Sequence, residues 1–355
     1  MRRPWLSLFA AAAALLVTAA PTLACGGLIG PNGAVNLLRT TTFAGYHDGV
    51  EHYVTSFEFA GGGGAFGSIT PLPGIPTDVV RGGDWTLQRL IRETDPVEDF
   101  ALRAVAAGES AAADEAEVLL ETTIDALDIT ILRGGGDEVG LWAKNHGFRL
   151  PPDAPEVLDF YADRSPIFMA AAFDADAAAA RGQALGDGTP VHLTIPTDNP
   201  WVPLRILGLG KADGEVVEAD VYLLTDIKPA LLPKAGAFVE SDGLILDHSA
   251  AATELLLADL RSDVGMEWVP DEAWLTKVVV DLEADALDFD LAIDASGAGN
   301  PSAIDAGYAP FGDDPAPRSP IALYLLLAAT VAIAVPVLLS RSSGSGPRLP
   351  PLAGA

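Results

Sequence analysis

The chain has 355 residues, 49 acidic side chains against 21 basic ones and a formal net charge of −28, with 49% of its residues hydrophobic. A charge of that sign repels phosphate backbones, which argues against nucleic-acid binding and leaves contact with cations or basic partners open. A single cysteine, Cys25, excludes an internal disulfide framework, so any core must be held by burial.

In chain order, residues 1–24 carry Arg2 and Arg3, an apolar run and a small residue at Ala24, the layout of a secretory signal peptide. The Ala24–Cys25 bond is also one that a lipoprotein peptidase would cut, although Thr22-Leu23 departs from the usual motif before such a cysteine. Residues 35–46 and 50–59 are rich in Thr, Val, Phe and Tyr, and Asp48-Gly49 between them supplies the positive φ of a tight hairpin. Asp84 is expected to cap a helix with Leu87, Leu90 and Ile91 on one face. Asp95-Pro96 stops it and opens a second helix ending at Gly108, a helical hairpin.

Residues 118–132, 167–173, 190–195 and 274–282 read as strands. Residues 137–146, with Val139, Trp142 and Ala143 inward, and 153–162 read as a second helical pair, and 249–261 as a longer helix with Leu256 and Leu260 inward. Two more hairpins are expected, 204–209 with 216–224 around Asp213-Gly214, and 238–239 with 244–246 around Asp242-Gly243. From 281 to 294, Asp281, Glu283, Asp285, Asp288, Asp290 and Asp294 alternate with Leu282, Phe289, Leu291 and Ile293, which predicts a half-buried strand pair with one solvated carboxylate face.

The composition then changes. Residues 295–319 read as a flexible stalk, and the uncharged run 321–339 is about long enough to span a bilayer as a transmembrane helix over 320–340. Arg341 and Arg348 behind it predict a cytoplasmic tail, 341–355. The expected organisation is a single-pass type I protein of the cell membrane, its extracytoplasmic domain at 25–294, with one internal boundary candidate at 174–188. The expected fold class is α+β, with mostly antiparallel sheets and helical hairpins packed on them.

No nucleophile elbow, zinc-protease helix, phosphate loop or dinucleotide glycine pattern occurs in the exported part, and no cofactor is expected. The candidate metal ligands are His47 and His52. If Asp48-Gly49 is the turn, both imidazoles lie on one face of the hairpin, with Asp48 and Glu51 nearby. His192 alternates with Val191, Leu193 and Ile195, which predicts a surface or groove position.

Several segments together resemble a bacterial family known as domain of unknown function 2330. They are Cys25-Gly26-Gly27, Gly49-Val50-Glu51-His52-Tyr53, Ile69-Thr70-Pro71-Leu72-Pro73, Trp142 with Asn145-His146-Gly147-Phe148, and Val191-His192-Leu193-Thr194 leading into Pro203-Leu204-Arg205. The resemblance implies a secreted or membrane-attached envelope domain and brings no activity with it. The expected function is a non-catalytic module that binds or scaffolds an envelope partner or a cation. The alternative is a metal-dependent or carboxylate/histidine hydrolase built on His47, His52 or His192.

Overall fold

Asp48 and Gly49 both take positive φ, 50° and 78°. They close the strands Thr40–His47 and Val50–Phe57 into a two-residue hairpin with His47 opposite Val50 and Gly45 opposite His52. The computed structural model that contains this hairpin describes residues 27–31, 33–34, 40–57, 66–95, 117–182, 189–233 and 243–297. The expected signal peptide, Cys25, the second helix of the first helical hairpin, residues 238–239, nearly all of the stalk, the span and the tail lie outside those residues. Among the described residues no helix is long and apolar enough to cross a membrane.

The hairpin sits inside a seven-stranded sheet. Its strands run, in spatial order, Leu244–Ala251, Trp274–Glu283, Val216–Thr225, Thr40–His47, Val50–Phe57, Thr189–Pro196 and Asp78–Arg81. Every pairing is antiparallel except that of Val216–Thr225 with Thr40–His47. A second, wholly antiparallel sheet orders Gly33–Ala34, Gly27–Gly30, Phe66–Pro71, Ile167–Phe173, Leu127–Arg133 and Glu117–Ile124. A small third sheet joins Trp201–Val202, Leu291–Asp294 and Ala230–Leu232. The mostly antiparallel, strand-rich architecture agrees with the expected class.

Both faces of the seven-stranded sheet are buried, because alternate residues of its central strands enter different cores. Ala44, Tyr53, Leu193 and Leu223 join the main core together with Ile69, Ile129 and Phe168 of the second sheet. Their chain neighbours Phe43, Val54 and Leu224 face a second core built with Leu87 and Leu90 of the helix Thr86–Thr94 and Leu256, Leu257 and Leu260 of the helix Glu254–Arg261. The helices Gly136–Asn145 and Ala154–Ala162 form where their spacing predicts, with Val139, Trp142 and Ala143 buried in the first.

Three local expectations change. Residues 204–209 are not a strand: Arg205–Gly208 form a 3-10 turn, and the backbone N–H groups of Leu204 and Arg205 donate to Asp290 while that of Ile206 donates to the Tyr161 hydroxyl. Buried acceptors take the donors that a ladder would have used. The helix expected over 249–261 begins later, because Ser249 to Ala251 pair with the strand Trp274–Glu283 and Thr253 caps the helix by accepting from the N–H of Leu256. Asp84 makes no cap. Asp263, distant in sequence, accepts from the N–H groups of Asp84 and Trp85 and from the Thr86 hydroxyl, and so closes the start of the first helix.

Candidate functional site

His52 leaves the hairpin toward the second core, on the face it shares with Gly45 and His47. The indole of Trp268 lies flat on its ring, with centroids 3.8 Å apart and planes 1° apart. Glycine at 45 makes this possible, since a Cβ there would stand 2.0 Å from the Trp268 ring. On the next strand Thr194 is directly opposite His52, and His192 is its diagonal neighbour, so the two imidazoles meet with Nδ1 of His52 3.0 Å from Nε2 of His192.

Both histidines are buried, His52 to 9% exposure and His192 to 4%. Burial holds the His52 imidazole down at about 3, helped by its histidine neighbours His192 and His47. Burial also brings His192 down to about 4, against the opposing pull of Asp78 and Glu267. The pair is therefore neutral at ordinary pH and shares one proton. Nδ1 of His192 is buried without a partner. An orphaned donor is rarer in proteins than an under-used acceptor, which assigns the proton of His192 to Nε2, donating to His52, and leaves the second proton of the pair on Nε2 of His52. The expected surface or groove position of His192 is corrected by this burial: strand alternation placed it away from the main core, and the turn at Gly265, after the helix Glu254–Arg261, lies over it.

Glu51 cannot join either histidine. It is the next residue along the strand, so it points through the opposite face into the main core, where it is 0% exposed. Its Oε2 accepts one hydrogen bond, from the N–H of Trp201 at 3.3 Å, and Oε1 has no partner. Burial pushes its carboxyl up to about 8, only partly opposed by that bond, so Glu51 carries a proton at neutral pH.

His47 takes other partners. Its Nδ1 donates to Asp226 at 2.7 Å, and Nε2 lies 3.4 Å from Asp48. The two candidate ligands thus share a sheet face while each is engaged elsewhere. Among the described residues no group of three or more His, Cys, Asp and Glu is arranged to hold a metal ion. Asp226 also borders an open cleft of about 910 Å³, whose lining includes Lys228, Glu254, Asp271, Glu272 and Trp274.

Two further polar centres prove structural. His146 ends the helix Gly136–Asn145 with Nδ1 on the carbonyl of Trp142 at 2.9 Å and its ring stacked on that indole at 4.4 Å. Asp290 is 0% exposed, a correction to the solvated face expected for residues 281–294. It accepts from Arg164 Nη1, the Tyr161 hydroxyl and the N–H groups of Leu204 and Arg205. The Arg164 guanidinium lies 4.3 Å from the Trp201 ring centroid. A lone acid between Phe289 and Leu291 was the available signal, but period-two spacing does not reveal whether an outer face is covered.

Among known proteins, a family model described as an uncharacterised protein conserved in bacteria (DUF2330) matches residues 19–293. No curated protein matches the chain. Of solved structures, it is similar to a mutated baculovirus P35 after caspase cleavage, with TM-score 0.37, 10% identity and coverage of 74% of this chain and 98% of that one. It is also similar to the caspase-8/P35 complex, with TM-score 0.33, 8% identity and coverage of 72% and 90%. A likeness of that size carries no argument about function.

Proposed function

The chain belongs to the bacterial family of uncharacterised proteins DUF2330, and we propose that in this member the family domain is a non-catalytic, membrane-anchored module that binds or scaffolds an envelope partner outside the cytoplasm. The observation that carries the reading is the use made of the groups best suited to chemistry. His52, stacked under Trp268, and His192 are hydrogen-bonded to each other, and Glu51 is sealed in the opposite core as a neutral acid. A general base must reach a substrate proton, and these three are turned inward. The removable leader at 1–24 and the uncharged run at 321–339 support anchoring with the bulk of the chain outside.

Protease added to intact cells expressing the full chain tests the reading. Release of a soluble fragment containing residues 27–297, with an epitope placed after residue 355 left intact, is the expected result; digestion of that epitope with the domain protected would reverse the topology.

A second reading keeps His47 and His52 as ligands of a transition metal, favoured by their common sheet face. It requires the hydrogen bond between His52 and His192 to reverse, so that Nδ1 of His52 donates and its Nε2 is left free to ligate. Metal analysis of the purified chain, with and without His52→Ala, separates the two: stoichiometric zinc or copper lost in the variant supports a metal centre.

A further inference from the structure

The cleft beside His47 is the candidate that the binding reading leaves without an occupant. Its lining includes Ala251, Ala252, the buried Ala273 and the half-buried Trp274, and Ile227 in the same lining is 45% exposed. Four acids line it, Asp226, Glu254, Asp271 and Glu272, against two cations, Lys228 and Arg261. Arg261 is already engaged, donating to the carbonyls of Val269 and Pro270 and pairing with Asp271 at 3.2 Å. Lys228 has no carboxylate partner among the ion pairs of the described residues, and its ammonium lies 5.8 Å from the ring centroid of Trp274. The aromatic wall of the cleft is therefore already positioned against an alkylammonium group that belongs to the protein itself.

We propose that this cleft is the docking surface for a basic peptide segment, whose lysine or arginine side chain lays its aliphatic stem along the alanines of the lining and places its charge against Trp274, Glu254 and Glu272, displacing Lys228. The proposal rests on the binding reading above and supplies the chemistry of the partner. Three observations favour a peptide over a bare metal cation. The described acids form no group able to hold a metal. Ile227, the three alanines and Trp274 of the lining offer apolar area, which a hydrated divalent ion cannot use. The rim is more negative than positive, so the field at the mouth attracts a positive ligand.

The test is titration of the full chain, purified in detergent, with a twelve-residue peptide alternating Lys and Leu, against the same peptide with Glu in place of Lys, and against spermidine and magnesium. Pairs of variants with equal charge change separate the cleft from the general acidity of the surface. Glu272→Lys is expected to weaken the basic peptide at least tenfold, while Glu121→Lys, on an exposed strand position of the second sheet, leaves it within twofold. Lys228→Met is expected to tighten it severalfold by removing the internal competitor, while Lys144→Met, on the exposed side of the helix Gly136–Asn145, does not. Trp274→Phe retains an apolar wall with a weaker cation–π face and is expected to weaken binding about threefold to tenfold.

The proposal is overturned if the basic peptide fails to bind, if the acidic peptide binds equally, if either control variant matches its cleft counterpart, or if spermidine or magnesium competes as well as the peptide. Circular dichroism on each variant distinguishes lost binding from lost folding. A negative outcome here, with the protease experiment giving external release, leaves the anchored module standing and removes only this site.

Discussion

Glu51 and His52 are consecutive residues of one strand whose side chains enter two different cores, the carboxyl held protonated and the imidazole held neutral. A sheet covered on both faces seals Glu51 from water and leaves His52 little access to it, and neither finds an oppositely charged partner, so each resolves its burial by giving up its charge. Glu51 and His52 therefore bring no charge into the two cores at neutral pH.

Stability should consequently peak in a narrow pH window. Glu51 has a folded value of about 8 against an ordinary 4.5, so its contribution is full below the ordinary value and is lost as pH rises to about 8. His52 and His192, at about 3 and about 4 against an ordinary 6.5, contribute fully above that ordinary value and lose it as pH falls toward their folded values. Two histidines outweigh one carboxyl between the ordinary values of the two residue types, which places the maximum at about pH 6 to 7. Thermal unfolding followed from pH 4 to pH 9 checks this; a flat melting temperature across pH 5 to 9 would mean that these groups titrate normally.

Glu51→Gln isolates the alkaline arm. Near pH 4 the variant should melt close to the parent, because the carboxyl is then protonated in both the folded and the unfolded chain and glutamine resembles the protonated acid. At pH 9 it should be more stable, by at most about 5 kcal/mol if the full difference between 4.5 and about 8 is realised at about 1.4 kcal/mol per unit. An equal offset at both pH values would show that Glu51 acts through shape alone.

Gly45→Ala should disrupt the stack rather than the hairpin. The added Cβ falls 2.0 Å from the Trp268 ring, so the indole must move off His52. Overpacking of this kind costs about 1 to 3 kcal/mol. A melting-temperature loss accompanied by a red shift of tryptophan emission is expected, with the circular dichroism of the sheets unchanged. An unaltered emission spectrum would place the contact elsewhere.

Asp290→Ala and Asp288→Ala compare two identical side chains two positions apart. Asp290 anchors Arg164, Tyr161 and two backbone N–H groups in the interior, and its loss leaves the buried guanidinium unpaired, at about 3 to 5 kcal/mol. Asp288 is exposed, and its removal should stay within about 0.5 kcal/mol. Similar denaturant midpoints for the two variants would contradict the burial of Asp290.

The sequence by itself determined what depends on near neighbours. Asp48-Gly49 set the hairpin and its register, so the shared face of His47 and His52 was readable in advance. Short strand-like apolar runs located the strands Ile167–Phe173, Thr189–Pro196 and Trp274–Glu283, and period-3.6 spacing located the helices Gly136–Asn145 and Ala154–Ala162. Only the tertiary structure decided which polar side chains are buried. Alternation says that His192 and Asp290 turn away from their apolar neighbours, but a covering layer is recruited from far along the chain. For His192 that cover includes the turn at Gly265, for Asp290 the turn at Leu204 with Tyr161 and Arg164. Asp263 makes the same point, capping a helix that begins 177 positions away in the chain. Spacing along a strand is a local property of the backbone, whereas desolvation depends on everything packed against it. The same residues therefore read as a solvated face in sequence and as buried, hydrogen-bonded groups in the folded protein.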